Sequence, residues 1–127
     1  MTGRVVHFEL PADELARATS FYGEVFGWGL IPTGPGSALA RTAPSDEYGQ
    51  PTDAGAINGA FAARQAPITV PVVTIGVDDI EKTLERVEAH GGRRVQAKTP
   101  VGDFGFVAYF TDTENNTVGL WEYAAKS

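Results

Sequence analysis

The 127-residue sequence has no cysteine, no long apolar run and few basic residues. Without cysteine there is no disulfide, no thiolate nucleophile, and no zinc or iron–sulfur site built on thiolates. No apolar run approaches the ~20 residues that a membrane-spanning helix needs, and the first residues lack the apolar core of a secretory signal. Ten basic residues against sixteen acidic ones give a net charge of −6, without the basic stripe of a nucleic-acid binder. We therefore expect a cytoplasmic protein that binds neither membranes nor nucleic acid.

The sequence does contain enough apolar material for a core. Hydrophobic residues make up 43% and charged residues 20%, which is ordinary for a globular domain of this length. We predict a single domain over residues 1–127. It would consist of two modules, at about 4–63 and 70–124, joined by a proline-containing linker at 64–69.

The first module opens with a strand followed by a helix. A β-branched and aromatic run at residues 5–10 predicts the strand, and Pro11 is expected to break it. Asp13 is expected to cap the helix, because its carboxylate can accept hydrogen bonds from the free N–H groups of the first turn. Gly27 is a natural terminator of that helix.

The second module repeats this order at a constant offset of 65 positions. Residues 72–77 predict a strand, and either Asp78 or Asp79 is the expected helix cap. Gly91 and Gly92 end the second helix as Gly27 ends the first. The cap, the apolar positions and the terminating glycine of the second helix all follow those of the first by the same 65 positions. We therefore interpret the repeat as a structural duplication rather than two generic strand–helix units.

Short strands with turn residues between them complete each module. The predicted strands are residues 28–33, 38–42 and 54–63 in the first module, and 93–98, 104–111 and 117–123 in the second. A longer surface loop is predicted at 43–53 and a tight turn at 114–116. The expected fold is α+β: two βαβββ modules forming a curved mixed sheet cup with the helices on the convex side.

Strand alternation predicts which residues line the cup. If Phe8 and Leu10 pack on the first helix, His7 and Glu9 face the opposite side. The predicted ligand-binding lining comprises Trp28, Asn58, Val72, Thr74, Phe104, Phe106, Tyr109, Gly119 and Trp121. An aromatic concavity with a few polar groups is typical of small-molecule sites, although the same aromatics also suit a core. The sequence does not define the strand register of residues 54–63, so it does not decide which face Asn58 occupies.

Several ordered features together resemble the vicinal oxygen chelate superfamily, which includes glyoxalase I, bleomycin- and fosfomycin-resistance proteins and extradiol dioxygenases. They are the βαβββ pair, His7, Phe21-Tyr22, Phe26-Gly27-Trp28, Val77-Asp78-Asp79 and Asp112-Thr113-Glu114-Asn115-Asn116. The resemblance covers nearly the whole chain. It also extends to actinobacterial glyoxalase-like proteins with an ending similar to Gly119-Leu120-Trp121-Glu122.

The resemblance implies a divalent metal held by His, Gln or Glu from the first and last strands of each module. At the corresponding positions this chain has His7, then Val72, then Gly119, and only Asn58 within residues 54–63. Three or four ligands are needed, and a lone histidine is a poor site. We therefore expect no metal and no other cofactor.

Three functional hypotheses remain. The first is a metal-free domain that binds a small hydrophobic or aromatic molecule, as bleomycin-resistance proteins sequester a drug. The second is a glyoxalase-like lyase or isomerase, or a dioxygenase-related enzyme, in which His7 and Glu9 act as general base and orienter. The third is a non-catalytic interaction module. Because many proteins of the superfamily form pairs, we also expect a homodimer.

Overall fold

The computed structural model describes residues 3–125, which form two helices and eight strands. In chain order these are β1 (Arg4–Ala12), α1 (Leu15–Phe26), β2 (Gly29–Gly34), β3 (Ser37–Arg41), β4 (Gly59–Ala63), β5 (Val72–Gly76), α2 (Ile80–Ala89), β6 (Arg93–Val101), β7 (Gly105–Thr111) and β8 (Thr117–Tyr123). The order βαβββ–βαβββ confirms the predicted α+β class and its two modules. No helix in the described residues is long and apolar enough to cross a membrane.

The chain divides into two compact units. The N-terminal unit is His7–Pro71, and the C-terminal unit combines the described residues up to Val6 with those from Val72 onward. The division falls inside β1, whereas the sequence predicts the boundary at a linker. Each unit has a mixed, open sheet.

In the N-terminal unit the strand order is β2-β3-β4-β1, with β1 and β4 parallel and the other pairs antiparallel. Phe8 lies opposite Gly59 and Leu10 opposite Phe61, and these side chains pack against α1. A Cβ on Gly59 would lie 2.5 Å from the Phe8 ring, so the ring can lie over β4 only because position 59 has no side chain.

In the C-terminal unit the order is β5-β8-β7-β6, with β5 and β8 parallel and the other pairs antiparallel. The core lies between this sheet and α2. Ile80 and Leu84 of α2 are fully buried against Ala108 of β7 and Leu120 of β8.

The start of α1 differs from the prediction in two respects. Pro11 does not break β1 but continues it opposite Ala62. Asp13 does not cap the helix; the cap position is Glu14, whose side chain makes no capping hydrogen bond. The Asp13 carboxylate instead accepts a hydrogen bond from Arg64 Nε at 2.9 Å. A partner 51 residues away therefore replaces the local one.

The duplication is confirmed at the helices. α1 begins at Leu15 and α2 at Ile80, an offset of 80 − 15 = 65 positions. Asp79 caps α2 by accepting the Lys82 N–H at 3.0 Å, as one of the two predicted caps. Gly27 ends α1 with a left-handed backbone, φ 73°, which favours glycine.

A second residue stabilises the start of α2 from the last strand. Glu122 Oε1 accepts the Ile80 N–H at 2.8 Å, and its Oε2 accepts from Lys98 Nζ at 3.1 Å. The Lys98 ammonium also lies 4.3 Å from the centre of the Phe106 ring. Glu122 thus points to the α2 side of the sheet, as strand alternation predicts, and joins β6, β8 and α2.

We predict that Glu122→Ala lowers the free energy of unfolding by about 2 kcal/mol, because the Ile80 N–H and the Lys98 ammonium both lose a partly buried acceptor. Glu122→Gln keeps an acceptor for Ile80 and is expected to cost about half as much. Urea denaturation of both variants measures the difference. Equal losses, or none, would contradict the role given to this carboxylate.

Candidate functional site

The sheet of the C-terminal unit has one face that α2 does not cover, which we call the open face. Phe106, Ala108 and Phe110 belong to the α2 core, so Val107 and Tyr109 between them point the other way. The open face is therefore formed by Val72, Thr74, Gly105, Val107, Tyr109, Gly119, Trp121 and Tyr123.

Trp121 and Tyr123 form an aromatic shelf on this face. Their ring centroids are 5.7 Å apart with the planes at 89°, an edge-to-face arrangement. A Cβ on Gly105 would lie 2.7 Å from Trp121 Cζ2, so the indole lies directly on the β7 backbone. Tyr123 is 55% exposed. The shelf is thus an apolar corner, in which a planar molecule can stack on one ring and meet the other edge-on.

Thr74 lies at one end of the open face, in a row with Gly119 and Tyr109. A Cβ on Gly119 would be 2.7 Å from Thr74 Oγ1 and 3.4 Å from Tyr109 Cε1, so both side chains converge over the glycine. Thr74 is only 2% exposed. Its Oγ1 has no hydrogen-bond partner among residues 3–125.

His7 and Glu9 lie in the N-terminal unit. Phe8 and Leu10 pack on the α1 side, so His7 and Glu9 share the opposite face of β1. The Glu9 position pairs with Ala60 of β4. Burial lowers the pKa of His7 below its usual value, which keeps the imidazole neutral near pH 7 and able to accept a proton.

Two aromatics of the predicted lining lie in helix-side cores instead. Trp28 stacks on Tyr22 of α1, with ring centroids 4.8 Å apart and planes at 19°. Phe106 packs against the α2 core, because its register with Glu122 turns both side chains to the helix side. Phe104 precedes β7 and is 76% exposed. The prediction that Trp28 and Phe106 line the open side of the sheet is therefore wrong.

Asn58 has a different role from the predicted one. Its Oδ1 accepts the Thr42 N–H at 2.8 Å, and its Nδ2 donates to Ser45 Oγ at 2.8 Å and to the Gly49 carbonyl at 3.2 Å. The amide therefore holds the loop between β3 and β4 together. Strand β4 begins only at Gly59, so the predicted strand at 54–63 is too long at its start.

Two residues of the open face, Gly105 and Val107, are absent from the predicted lining. Gly105 lies between two phenylalanines within the predicted strand at 104–111, and an isolated strand glycine often marks a close approach of another group. Here that group is the Trp121 indole. Alternation from Tyr109 also places Val107 on the same face, so a signal exists for both residues.

The positions that would supply metal ligands do not provide a suitable donor set. Val72 is buried and has no donor atom. At Gly119 a side chain would meet the Thr74 hydroxyl, and β4 contains only glycine, alanine and phenylalanine. In the part of the chain that the structure describes, no group of three or more His, Asp or Glu side chains is arranged to hold a metal ion. These residues do not fit a divalent cation.

The fold agrees with the family comparison. The profile of the Glyoxalase/Bleomycin resistance protein/Dioxygenase superfamily matches residues 4–120. The chain belongs to this superfamily, as its sequence resemblance implies.

Individual relatives carry glyoxalase-type names. A "Glyoxylase-like domain-containing protein" of Didymella fabae is 30% identical over 121 residues, covering 91% of this chain and 90% of its own. A "Probable lactoylglutathione lyase" of Vibrio parahaemolyticus is 26% identical over 123 residues, covering 93% and 89%. Among solved structures, methylmalonyl-CoA epimerase from Mycobacterium tuberculosis superposes with a TM-score of 0.65 at 18% identity, covering 97% of this chain and 89% of that one. This last likeness is one of fold.

The lowered pKa of His7 predicts a pH dependence of stability. Between the folded-state pKa of His7 and about 6.5, the unfolded chain binds more protons than the folded one, so stability falls as the pH drops below about 6.5. His7→Gln is expected to flatten this fall, measured as the shift in urea midpoint between pH 7.5 and pH 5.5. His90→Gln, at the other of the two histidines, serves as the matched control. An unchanged slope in His7→Gln would show that His7 is not the group responsible.

Proposed function

We propose that this chain is a metal-free member of the superfamily that binds a small aromatic or hydrophobic molecule on the open face of the C-terminal unit. The observation that carries the proposal is the aromatic shelf, in which Trp121 lies on the backbone at Gly105 and Tyr123 stands edge-on beside it. Ligand sites are built in this way, from aromatic surface with a few placed polar groups.

The energetics of the shelf suit a weak to moderate ligand. A planar ring that covers ~100 Å² of apolar surface gains about 2.5 kcal/mol at 25 cal/mol per Å². A dissociation constant of 1 mM already corresponds to about 4 kcal/mol. Stacking alone is therefore insufficient, and a useful ligand needs further contacts, such as with Tyr109 and Val107 or with a polar group.

The donor chemistry supports the metal-free part of the proposal. His7 is the single imidazole at the four positions that the family resemblance assigns to ligands. At a second position, Gly119, an acidic side chain is excluded for as long as the Thr74 hydroxyl occupies that space. Sequestration or sensing of a small molecule requires neither ligand. The cytoplasmic location and the homodimer remain predictions, and sizing in solution tests the dimer.

We predict that small aromatic probes perturb Trp121 and not Trp28. The chain has two tryptophans, so its NMR spectrum has two indole N–H signals, and Trp28 is stacked in the α1 core. Addition of 2-naphthol should shift the Trp121 signal in a saturable manner. Trp121→Ala should weaken binding about tenfold or more, because a stacked aromatic contributes up to about 1.5 kcal/mol beyond the area that it buries.

Phe104→Ala provides the matched control, since Phe104 is an exposed aromatic of the same unit that precedes β7 and is not among the residues that form the open face. It should bind 2-naphthol as the unmodified protein does. If neither indole responds, or if Trp28 responds instead, the open face is not the binding site.

We also predict that protein purified without an affinity tag contains well under one equivalent of zinc, nickel, manganese or iron. The physical reason is that a single histidine without carboxylate partners holds these ions weakly. Elemental analysis after gel filtration measures the content. A stoichiometric ion that is lost on His7→Ala would overturn the metal-free proposal.

The second candidate is an enzyme that moves a proton with His7 and Glu9. Two observations favour it: the lowered His7 pKa leaves a neutral base, and Glu9 projects from the same face of β1. One relative is named as a probable lactoylglutathione lyase. Turnover of lactoylglutathione that is lost in His7→Gln and kept in His90→Gln would replace the binding proposal with this one. Absence of turnover in the unmodified protein would remove it.

A further inference from the structure

Thr74 Oγ1 stands out among the buried polar atoms of residues 3–125, because it is the one side-chain atom for which the structure gives no hydrogen-bond partner. An unpaired buried hydroxyl bears its full desolvation penalty, and native proteins leave few such groups. Replacing it by a methyl group would remove the penalty without changing the shape of the side chain. We therefore expect the hydrogen-bond partner of this hydroxyl to be a molecule that binds to the protein.

The position of Thr74 relates this hydroxyl to the aromatic shelf. Thr74 pairs with Gly119, and Trp121 is two residues further along β8 on the same face. Two residues of a strand span about 7 Å, roughly the length of a substituted ring. A molecule stacked on Trp121 can therefore place a substituent at the Thr74 end of the face.

We propose that Thr74 is the specificity-determining polar group of the open face, and that the ligand is an aromatic molecule bearing a hydroxyl or carbonyl oxygen. The ring stacks on Trp121, and the oxygen forms a hydrogen bond with Thr74 Oγ1. This assignment rests on the proposed function, because it concerns the same face. It goes further by naming the ligand class and the residue that selects it.

The burial of the hydroxyl determines how such a ligand is selected. Thr74 is 2% exposed and Tyr109 beside it 5%, so the side chains around Thr74 must move for the ligand oxygen to reach the hydroxyl. The resulting hydrogen bond forms in a place sheltered from water. A site of this kind discriminates strongly against an analogue that lacks the oxygen, because that analogue leaves the buried hydroxyl unpaired.

The first test uses the protein without ligand. Thr74→Val has nearly the same shape and removes the hydroxyl. Because that hydroxyl has no partner to lose, the thermal midpoint of the variant should be unchanged or higher. A clearly lower midpoint would show that the hydroxyl is already hydrogen-bonded, for example to an internal water, and would overturn the assignment.

The second test uses 2-naphthol and 2-methylnaphthalene, which share a ring system and differ in one hydroxyl. The unmodified protein should bind 2-naphthol at least tenfold more tightly, as measured by the Trp121 indole shift. Thr74→Val should reduce this preference to near unity without weakening the binding of 2-methylnaphthalene, and Thr74→Ser should retain the preference.

The outcomes separate the two proposals. Equal affinity of the unmodified protein for both probes, or a preference that survives in Thr74→Val, overturns the role of Thr74 and leaves the open face as a binding site. Failure of both probes to shift Trp121 overturns the proposed function and this inference together.

Discussion

The two-residue alternation of side chains along the strands is the constraint on which the rest of this structure depends. In each unit one helix packs on one face of the sheet, so every second residue of a strand points into the core between them. In β8, Leu120 packs against α2, and Glu122 accepts a hydrogen bond from the Ile80 N–H at the start of that helix. Gly119, Trp121 and Tyr123 are left for the opposite face. The residues available for binding follow from the residues that the helix requires.

Much of the fold follows from local patterns. Four features can be predicted in this way, namely the start of α2, the Asp79 cap, the Gly27 terminator and strand β8, because each depends on neighbours within a few positions. The predictions that fail depend on distant partners. Asp13 accepts a hydrogen bond from Arg64 instead of capping α1. Asn58 accepts one from Thr42, 16 positions earlier in the chain, and no local pattern indicates that contact.

The candidate site is predictable only where the register is. Val72 and Thr74 follow from alternation along β5. Gly119 and Trp121 follow once Val118 and Leu120 are placed in the core, where the structure has them. Trp28 and Phe106 do not, since an aromatic residue next to a turn suits either face. Only the pairing of β7 with β8 turns Phe106 to the helix side, and only the stack on Tyr22 shows that Trp28 belongs to the α1 core. The sequence shows that aromatic residues are present, and the pairing of the strands determines which of their rings lie on the open face.

The glycine at position 119 and the unpaired hydroxyl of Thr74 are related by packing, because the hydroxyl lies where a side chain at position 119 would be. A side chain at Gly119 would begin 2.7 Å from Thr74 Oγ1, so a hydroxyl occupies the space where the family resemblance implies a carboxylate ligand. A carboxylate in that place favours a cation, whereas a neutral hydroxyl, both donor and acceptor, favours an uncharged oxygen. Changing position 119 alone would therefore not restore a metal ligand, because Thr74 must also move.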